Sequence, residues 1–298
     1  MTQKGSLEDY LLDQLQTSGL PLEIEVADLL EDRWLVSNNE VYLDEDEGKT
    51  RDIDVFAIHK TETDQLRWLR PPRLFLATDL AVECKRSESH AWVFPTRRKL
   101  TPPGIGSGQT LDFLQVFSNR TSSFLRGKFL ELPKLHFDTI NDIAHAGLCS
   151  KTERREGSIK RDRDEIFQAT NQLMKFSHDF LRGYGNRIAT NPAARHIVFL
   201  FLTIAFDGLL YEARTKNGKW SLKPTSHVLL RTGRYSKTFG DYETYMVDVV
   251  TKENLANHIK TVESDISLLM NEFTFNAQNL TARADKAVRT LPNLPQLC

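Results

Sequence analysis

Arg51-Asp52-Ile53-Asp54-Val55-Phe56-Ala57-Ile58 and Leu80-Ala81-Val82-Glu83-Cys84-Lys85 are the two stretches whose reading decides the fold. Residues i and i+2 of a strand share a face, so Glu83 and Lys85 project together while Val82 and Cys84 face the core. The earlier stretch has the same character, with Ile53, Val55 and Ala57 on one face and Asp54 and Phe56 on the other. Paired in one sheet, the two strands set Asp54 beside Glu83 with Lys85 next to both. Two hard oxygen ligands and one cation suit a divalent metal, an attacking water and a phosphate.

Upstream, Ser6 to Leu15 reads as a helix with Leu7, Tyr10, Leu11 and Leu15 on one stripe, stopped at Gly19. Pro21 suits the first turn of a second helix running to about Arg33, with Leu22, Val26, Leu29 and Leu30 as its apolar residues. Glu23 shares its face with Val26, Ala27 and Leu30; Glu25 stacks over Asp28 and points more toward water. A carboxylate at the edge of a buried face is costly unless a metal or a lysine meets it, which makes Glu23 the first candidate and Glu25 the reserve. Trp34 to Val36 and Val41 to Leu43 read as strands around an Asn38-Asn39 turn. The acidic run Asp44-Glu45-Asp46-Glu47 lacks the glycine and following helix of a calcium loop and reads as a solvated hairpin loop.

Together these features resemble the PD-(D/E)XK nuclease superfamily, whose fold is restriction-endonuclease-like. The resemblance rests on an order: a helix with Glu23, a strand with Asp54, a strand with the triplet Glu83-Cys84-Lys85, and a helix with Gln172. Asp54 and Glu83 are separated by 28 residues, and Ile53 stands where the family's motif has proline. It implies an α/β fold, an αβββαβ core with a mixed central sheet flanked by helices. It also implies magnesium or manganese held by Asp54, Glu83 and Glu23, with Lys85 acting on the water and Gln172, in Ala169-Thr170-Asn171-Gln172, beside the scissile phosphate.

Composition restricts the alternatives. The 298 residues carry 39 basic against 40 acidic side chains, so contact with nucleic acid requires a local patch rather than a global field. Cys84, Cys149 and Cys298 form no CxxC pair, which speaks for a reducing cytoplasm and against a structural zinc site or a disulfide scaffold. The N-terminus lacks a signal-peptide pattern, and the longest apolar run, Ile197 to Phe206, is too short to span a bilayer. There is no HExxH, GxSxG, Walker or GxGxxG motif, and no zinc finger or helix-turn-helix. Cys84 faces away from Glu83 and Lys85 and reads as a small buried hydrophobe.

Residues 61–73 read as a hairpin extension, and Trp92, Val93 and Phe94 as core beneath the site, with base stacking the lesser alternative. Arg97, Arg98 and Lys99 either touch a backbone phosphate or face solvent. Residues 100–163 read as an insertion, opening on a glycine-rich linker at 101–108. Short helices are expected at 111–117 and 137–146. The basic stretch 151–163 is either a hydrophilic linker or an arm that contacts phosphates without reading sequence. Asp164 to Leu181 is a helix with Ile166, Phe167, Thr170, Leu173, Met174, Ser177 and Leu181 inward. His196 to Asp207 is a strand buried on both faces. Strands around Asn217-Gly218 and at Tyr245 to Val250 follow, then a helix with Leu255, Ile259, Val262, Ile266, Leu269 and Phe273 on one stripe.

The expected organisation is an N-terminal helix (1–17), the core with its insertion (18–207), a β-hairpin and helix extension on the same domain (208–275), and a polar tail (276–298). The expected activity is metal-dependent hydrolysis of phosphodiester bonds, in DNA before RNA. A catalytically silent scaffold of the same fold is the alternative. Nucleic acid is the expected partner, without a membrane, with a homodimer or a targeting protein as further partners. By resemblance, bacterial genome defence, restriction included, is the setting.

Overall fold

The uninterrupted apolar run becomes the middle of the molecule, with every residue from Val198 to Phe206 buried. The computed structural model describes residues 6–60, 74–98, 115–118, 135–151, 164–188, 195–235 and 242–271. In chain order they form α1 (Leu7–Thr17), α2 (Leu20–Leu30), β1 (Trp34–Asp44), β2 (Lys49–His59), β3 (Leu74–Arg98) and β4 (Gln115–Ser118). There follow the one-turn α3 (His136–Thr139), β5 (Asp142–Ala144), β6 (Leu148–Lys151), α4 (Asp164–Ile188) and β7 (Arg195–Lys216). The described chain ends with β8 (Lys219–Pro224), β9 (His227–Tyr235), β10 (Tyr242–Thr251) and α5 over 255–271.

All ten strands belong to one mixed sheet. β1, β2 and β3 form an antiparallel meander, and β7 lies parallel to β3 from Leu74↔Arg195 to Arg86↔Asp207 and again from Ala91↔Leu209 to Pro95↔Ala213. The opposite edge of β7 receives β4, β10 and β8 in turn. A single pairing, Ala144↔Leu230, joins β5 to β9 and closes β3, β5, β9, β10 and β7 into a ring. Two apolar clusters cover the two faces: Leu22, Val26 and Leu30 of α2 lie on one side with Leu255, Ile259, Val262, Ile266 and Leu269 of α5, and Ile166, Ala169, Leu173 and Phe176 of α4 on the other. The molecule is thus an α/β protein whose mixed central sheet is flanked by helices.

Local chemistry accounts for most elements. Ser6 and Asp9 form a capping box at the start of α1, and Pro21 sits in the first turn of α2. Asn217 (φ 52°) and Gly218 (φ 75°) both take the left-handed conformation that a tight hairpin needs, joining β7 to β8. The last helix buries its stripe against its own sheet, as its spacing requires.

Several expectations are corrected. The stripe of α1 does not pack: Leu7, Tyr10, Leu11 and Leu15 are all exposed. Asn38-Asn39 is no turn, because Asn39 (φ 53°) absorbs an irregularity inside a β1 that keeps one register with β2 on both sides of it. Within the described part of the insertion, residues 115–118 and 142–144 pair in the sheet where helices were expected, and α3 is the one helix there. Asp44, read as part of a solvated loop, is fully buried. The 61–73 stretch, the 101–108 loop, residues 152–163, Lys99, Phe273 and the tail lie outside the described residues.

At the β3–β7 ladder, residues 87–90 bulge out opposite the single residue Gly208. A Cβ on Gly208 would come 2.6 Å from the Phe206 ring and 2.8 Å from the Ser87 carbonyl oxygen. Phe206 cannot retreat, since its ring stacks on Trp92 with centroids 4.1 Å apart.

A buried polar network pins α5 to the sheet. The two ring nitrogens of His136 meet Asp265 and, at 3.1 Å, Asp248, while the second oxygen of Asp248 takes His227 Nε2 at 2.7 Å. His258 Nε2 bonds the Thr203 hydroxyl at 3.0 Å. Burial alone would lower the His136 pKa, but Asp248 and Asp265 outweigh it and raise it to about 10. A histidine whose pKa rises on folding lends stability that is complete below its unfolded value and is lost as pH climbs to the folded one. His136→Gln is therefore expected to destabilise by about 3 kcal/mol at pH 6. The gap to wild type should narrow steadily as the pH rises toward 10, which urea titrations across that range will measure.

Candidate functional site

β2 and β3 pair from Ile58↔Asp79 to Val55↔Val82, and there the ladder stops. One step further Asp54 and Glu83 stand opposite each other, and Asp54 replaces the missing backbone bond by accepting the Cys84 N–H through Oδ2 at 2.6 Å. On its other edge β2 is also open here, because pairing with β1 runs from Asn38↔Val55 to Glu40↔Ile53 and passes over Asn39 and Asp54. The chain turns over at this point. Ile53 joins the core beneath α4, whereas Val55 and Ala57 join the core beneath α2, so the expectation of one shared face for all three is corrected. Asp54 is thus held where the sheet is interrupted on both sides.

The Lys85 ammonium donates to Glu83 Oε1 at 2.5 Å and lies 4.0 Å from Asp54 Oδ2. Val82 and Cys84 point the other way into the α2-side core, so the alternation read from the sequence holds for this strand. Glu83 is fully buried, and its Oε2 has no hydrogen-bond partner among the described residues. Burial lifts the Glu83 carboxyl to about 8 even though Lys85 pulls the other way. Burial raises Asp54 as well, against the opposing pull of Lys85 and the Cys84 amide. For Lys85 burial acts downward, but Glu83 and Asp54 more than compensate and hold the ammonium protonated. The Cys84 thiol is pushed well up by burial and by the carboxylates of Asp54, Glu23 and Glu83, which rules it out as a thiolate nucleophile near neutral pH.

Glu23 belongs to this cluster by its field. Its carboxyl is raised first by burial and then by Asp54, with Lys85 acting in the opposite direction. Glu25 is engaged elsewhere, 2.5 Å from the Lys252 ammonium. Two histidine-containing groups are the triads of potential metal donors whose atoms lie within 4.8 Å of one another among the described residues, and the Glu23, Asp54, Glu83 set is not one of them. Asp54 and Glu83 share the Lys85 ammonium, and Glu23 feels Asp54, Lys85 and Asp52. Gln172 donates from Nε2 to the Asp52 carbonyl at 2.6 Å, which ties α4 to β2 two residues from Asp54.

Sequence reasoning missed the ion network behind this strand. The Lys175 ammonium meets Asp44 at 2.5 Å and also Glu47, and Arg51 meets the same two carboxylates at 2.9 and 2.7 Å. Burial works to raise the Asp44 carboxyl, but Lys175 and Arg51 bring it below its usual range, and the same partners hold Glu47 at about 2. One signal was legible: Lys175 falls between Met174 and Phe176, on a stretch of α4 buried throughout, where a lysine requires a partner. Tyr42, which donates to the Gln172 carbonyl at 3.4 Å, fastens the same helix to β1.

No protein-family model, curated protein or solved structure matches this chain. No helix among the described residues is long and apolar enough to cross a membrane.

Lys175→Met removes the cation that reaches Asp44 from α4 and leaves Asp44 to Arg51, with Glu47 shared between Arg51 and Lys49. We expect a loss of about 2–4 kcal/mol in urea unfolding, with the secondary structure seen by circular dichroism retained. Glu83→Gln should act in the opposite direction. It removes a buried carboxyl whose ionisation burial opposes, and is expected to stabilise the protein in EDTA by about 1–2 kcal/mol above about pH 8, where the wild-type carboxyl must ionise.

Proposed function

We propose that the protein is a metal-dependent nuclease that hydrolyses phosphodiester bonds, with DNA as the first substrate. The observation that carries this reading is the convergence of Asp54 and Glu83 on one ammonium at the point where the strand ladder opens. The order of α2, the antiparallel β1–β2–β3 meander, α4 and a β7 parallel to β3 supports a restriction-endonuclease-like αβββαβ core.

Asp54 and Glu83 fit a hard divalent cation. The fit is visible in the unpartnered, buried Oε2 of Glu83, an oxygen that lacks the positive charge its position demands. Magnesium or manganese bound there would neutralise phosphate charge and lower the pKa of a coordinated water. The remaining steps belong to the chain. Asp54 is held by the Cys84 amide and so presents its carboxylate without reorganisation. Lys85, kept protonated, orients the water and meets the negative charge that develops on the phosphate. Its role is cationic rather than basic, because both carboxylates resist its deprotonation. Glu23 acts on the ion directly or through water, and Gln172 positions β2 through the Asp52 carbonyl.

The test is cleavage of plasmid, linear and single-stranded DNA and of RNA with magnesium, with manganese or in EDTA. Asp54→Ala and Lys85→Ala are each expected to lower magnesium-dependent cleavage by about 100-fold or more while circular dichroism and gel filtration stay unchanged. Wild-type rates in either variant would reject the assignment. Cleavage confined to RNA would change the substrate and keep the site, whereas tight nucleic-acid binding without cleavage would leave a scaffold.

A further inference from the structure

We infer that His90, Cys149 and Glu165 form a second metal site, selective for a thiophilic divalent cation such as zinc and separate from the acidic site. Each residue offers one donor atom, and the three atoms lie within 4.8 Å of one another. The Cys149 sulfur and Glu165 Oε2 are 3.6 Å apart. Sulfur and oxygen donors on one tetrahedral zinc are separated by about 3.5 Å, so this edge of the coordination polyhedron has its bound length already.

The histidine supplies the independent observation. His90 Nδ1 is engaged with the Ser89 hydroxyl at 2.9 Å, and its Nε2 is buried with no hydrogen-bond partner among the described residues. A ring nitrogen fixed on one side and vacant on the other is how a zinc-ligating histidine is presented. His90 reaches this position because it ends the bulge of residues 87–90 in β3, where strand alternation is broken and a side chain is re-aimed. Cys149 comes from β6 and pairs with Trp92, while Glu165 stands in the first turn of α4.

The donor set determines the ion. A thiolate, an imidazole and one carboxylate favour zinc over magnesium, and three protein ligands leave a fourth position for water. The other histidine cluster, His227, Asp248 and His258, is already engaged: the two oxygens of Asp248 meet His136 and His227, and His258 Nε2 bonds the Thr203 hydroxyl. Sequence spacing gave no hint of the site, since its three ligands come from separate elements. In the sequence Cys149 and Glu165 flank the basic stretch 151–163, so one ion would tie both ends of that stretch to β3.

Cobalt titration of the full chain after EDTA treatment tests this. One equivalent should produce a thiolate-to-cobalt charge-transfer band that zinc abolishes. Cys149→Ser should remove the band, and His90→Ala and Glu165→Gln should weaken cobalt binding about 10–100-fold. Cys298→Ser and Asp54→Ala should leave it intact. Zinc should also raise the thermal midpoint of wild type but not of His90→Ala, a half-exposed position whose replacement does not threaten folding. Absence of the band, or its loss in Cys298→Ser with retention in His90→Ala, would overturn the proposal. Because the readout is spectroscopic, a failure of the nuclease reading would leave this result untouched.

Discussion

Two strands lying side by side in the same direction, β3 and β7, hold the rest in place. Parallel strands are joined through a crossover and are stable when covered on both faces, and here α2 and α5 cover one face while α4 covers the other. That enclosure imposes a condition on every polar residue the two strands carry. Thr78, Asp79, Glu83 and Thr203 are all buried. Glu83 and Lys85 sit where the ladder with β2 ends but the ladder with β7 continues, so one flank of the acidic pair is rigid and the other open. The position of the site is a consequence of the difference in length between those two ladders.

The acidic site and the ion network behind it are opposite solutions to the same problem. Asp44 is buried and doubly met, by Lys175 and Arg51, and its carboxyl is depressed. Glu83 is buried and met by one cation, and its carboxyl is raised. The first arrangement is saturated and serves to bind α4 to the β1–β2 hairpin. The second is deficient by one positive charge, and that deficit is what a divalent ion would relieve. The two carboxylates lie on the outer strands, β1 and β3, of the same meander, one met by two cations and the other by one.

The sequence was most legible where periodicity decides the structure. The alternation through Glu83 and Lys85, the doubly buried run of β7, the Asn217-Gly218 hairpin and the stripe of α5 were all readable, because each depends on local spacing. Glu25, the reserve to Glu23, pairs with Lys252, a partner 227 residues away that spacing does not reveal. What could not be read depends on long-range partners. Asn39 looks like a turn until β2 is seen to pair across it, and α1 has an apolar stripe that stays exposed among the described residues. The strands of the insertion are short segments whose pairing, not propensity, makes them strands. The residues of the two histidine clusters lie far apart in the chain, and a search for compact spacings passes over both.

The contact at Gly208 carries a consequence for ancestry. With Phe206 stacked on Trp92 and the Ser87 carbonyl facing the same point, no residue larger than glycine fits without rebuilding the bulge that aims His90. Acidic triplets arise readily by drift, but a glycine flanked by these particular neighbours does not. A distant cousin that kept the Phe206-Asp207-Gly208 step while losing Asp54 or Lys85 would reveal a lineage in which the architecture outlived the chemistry.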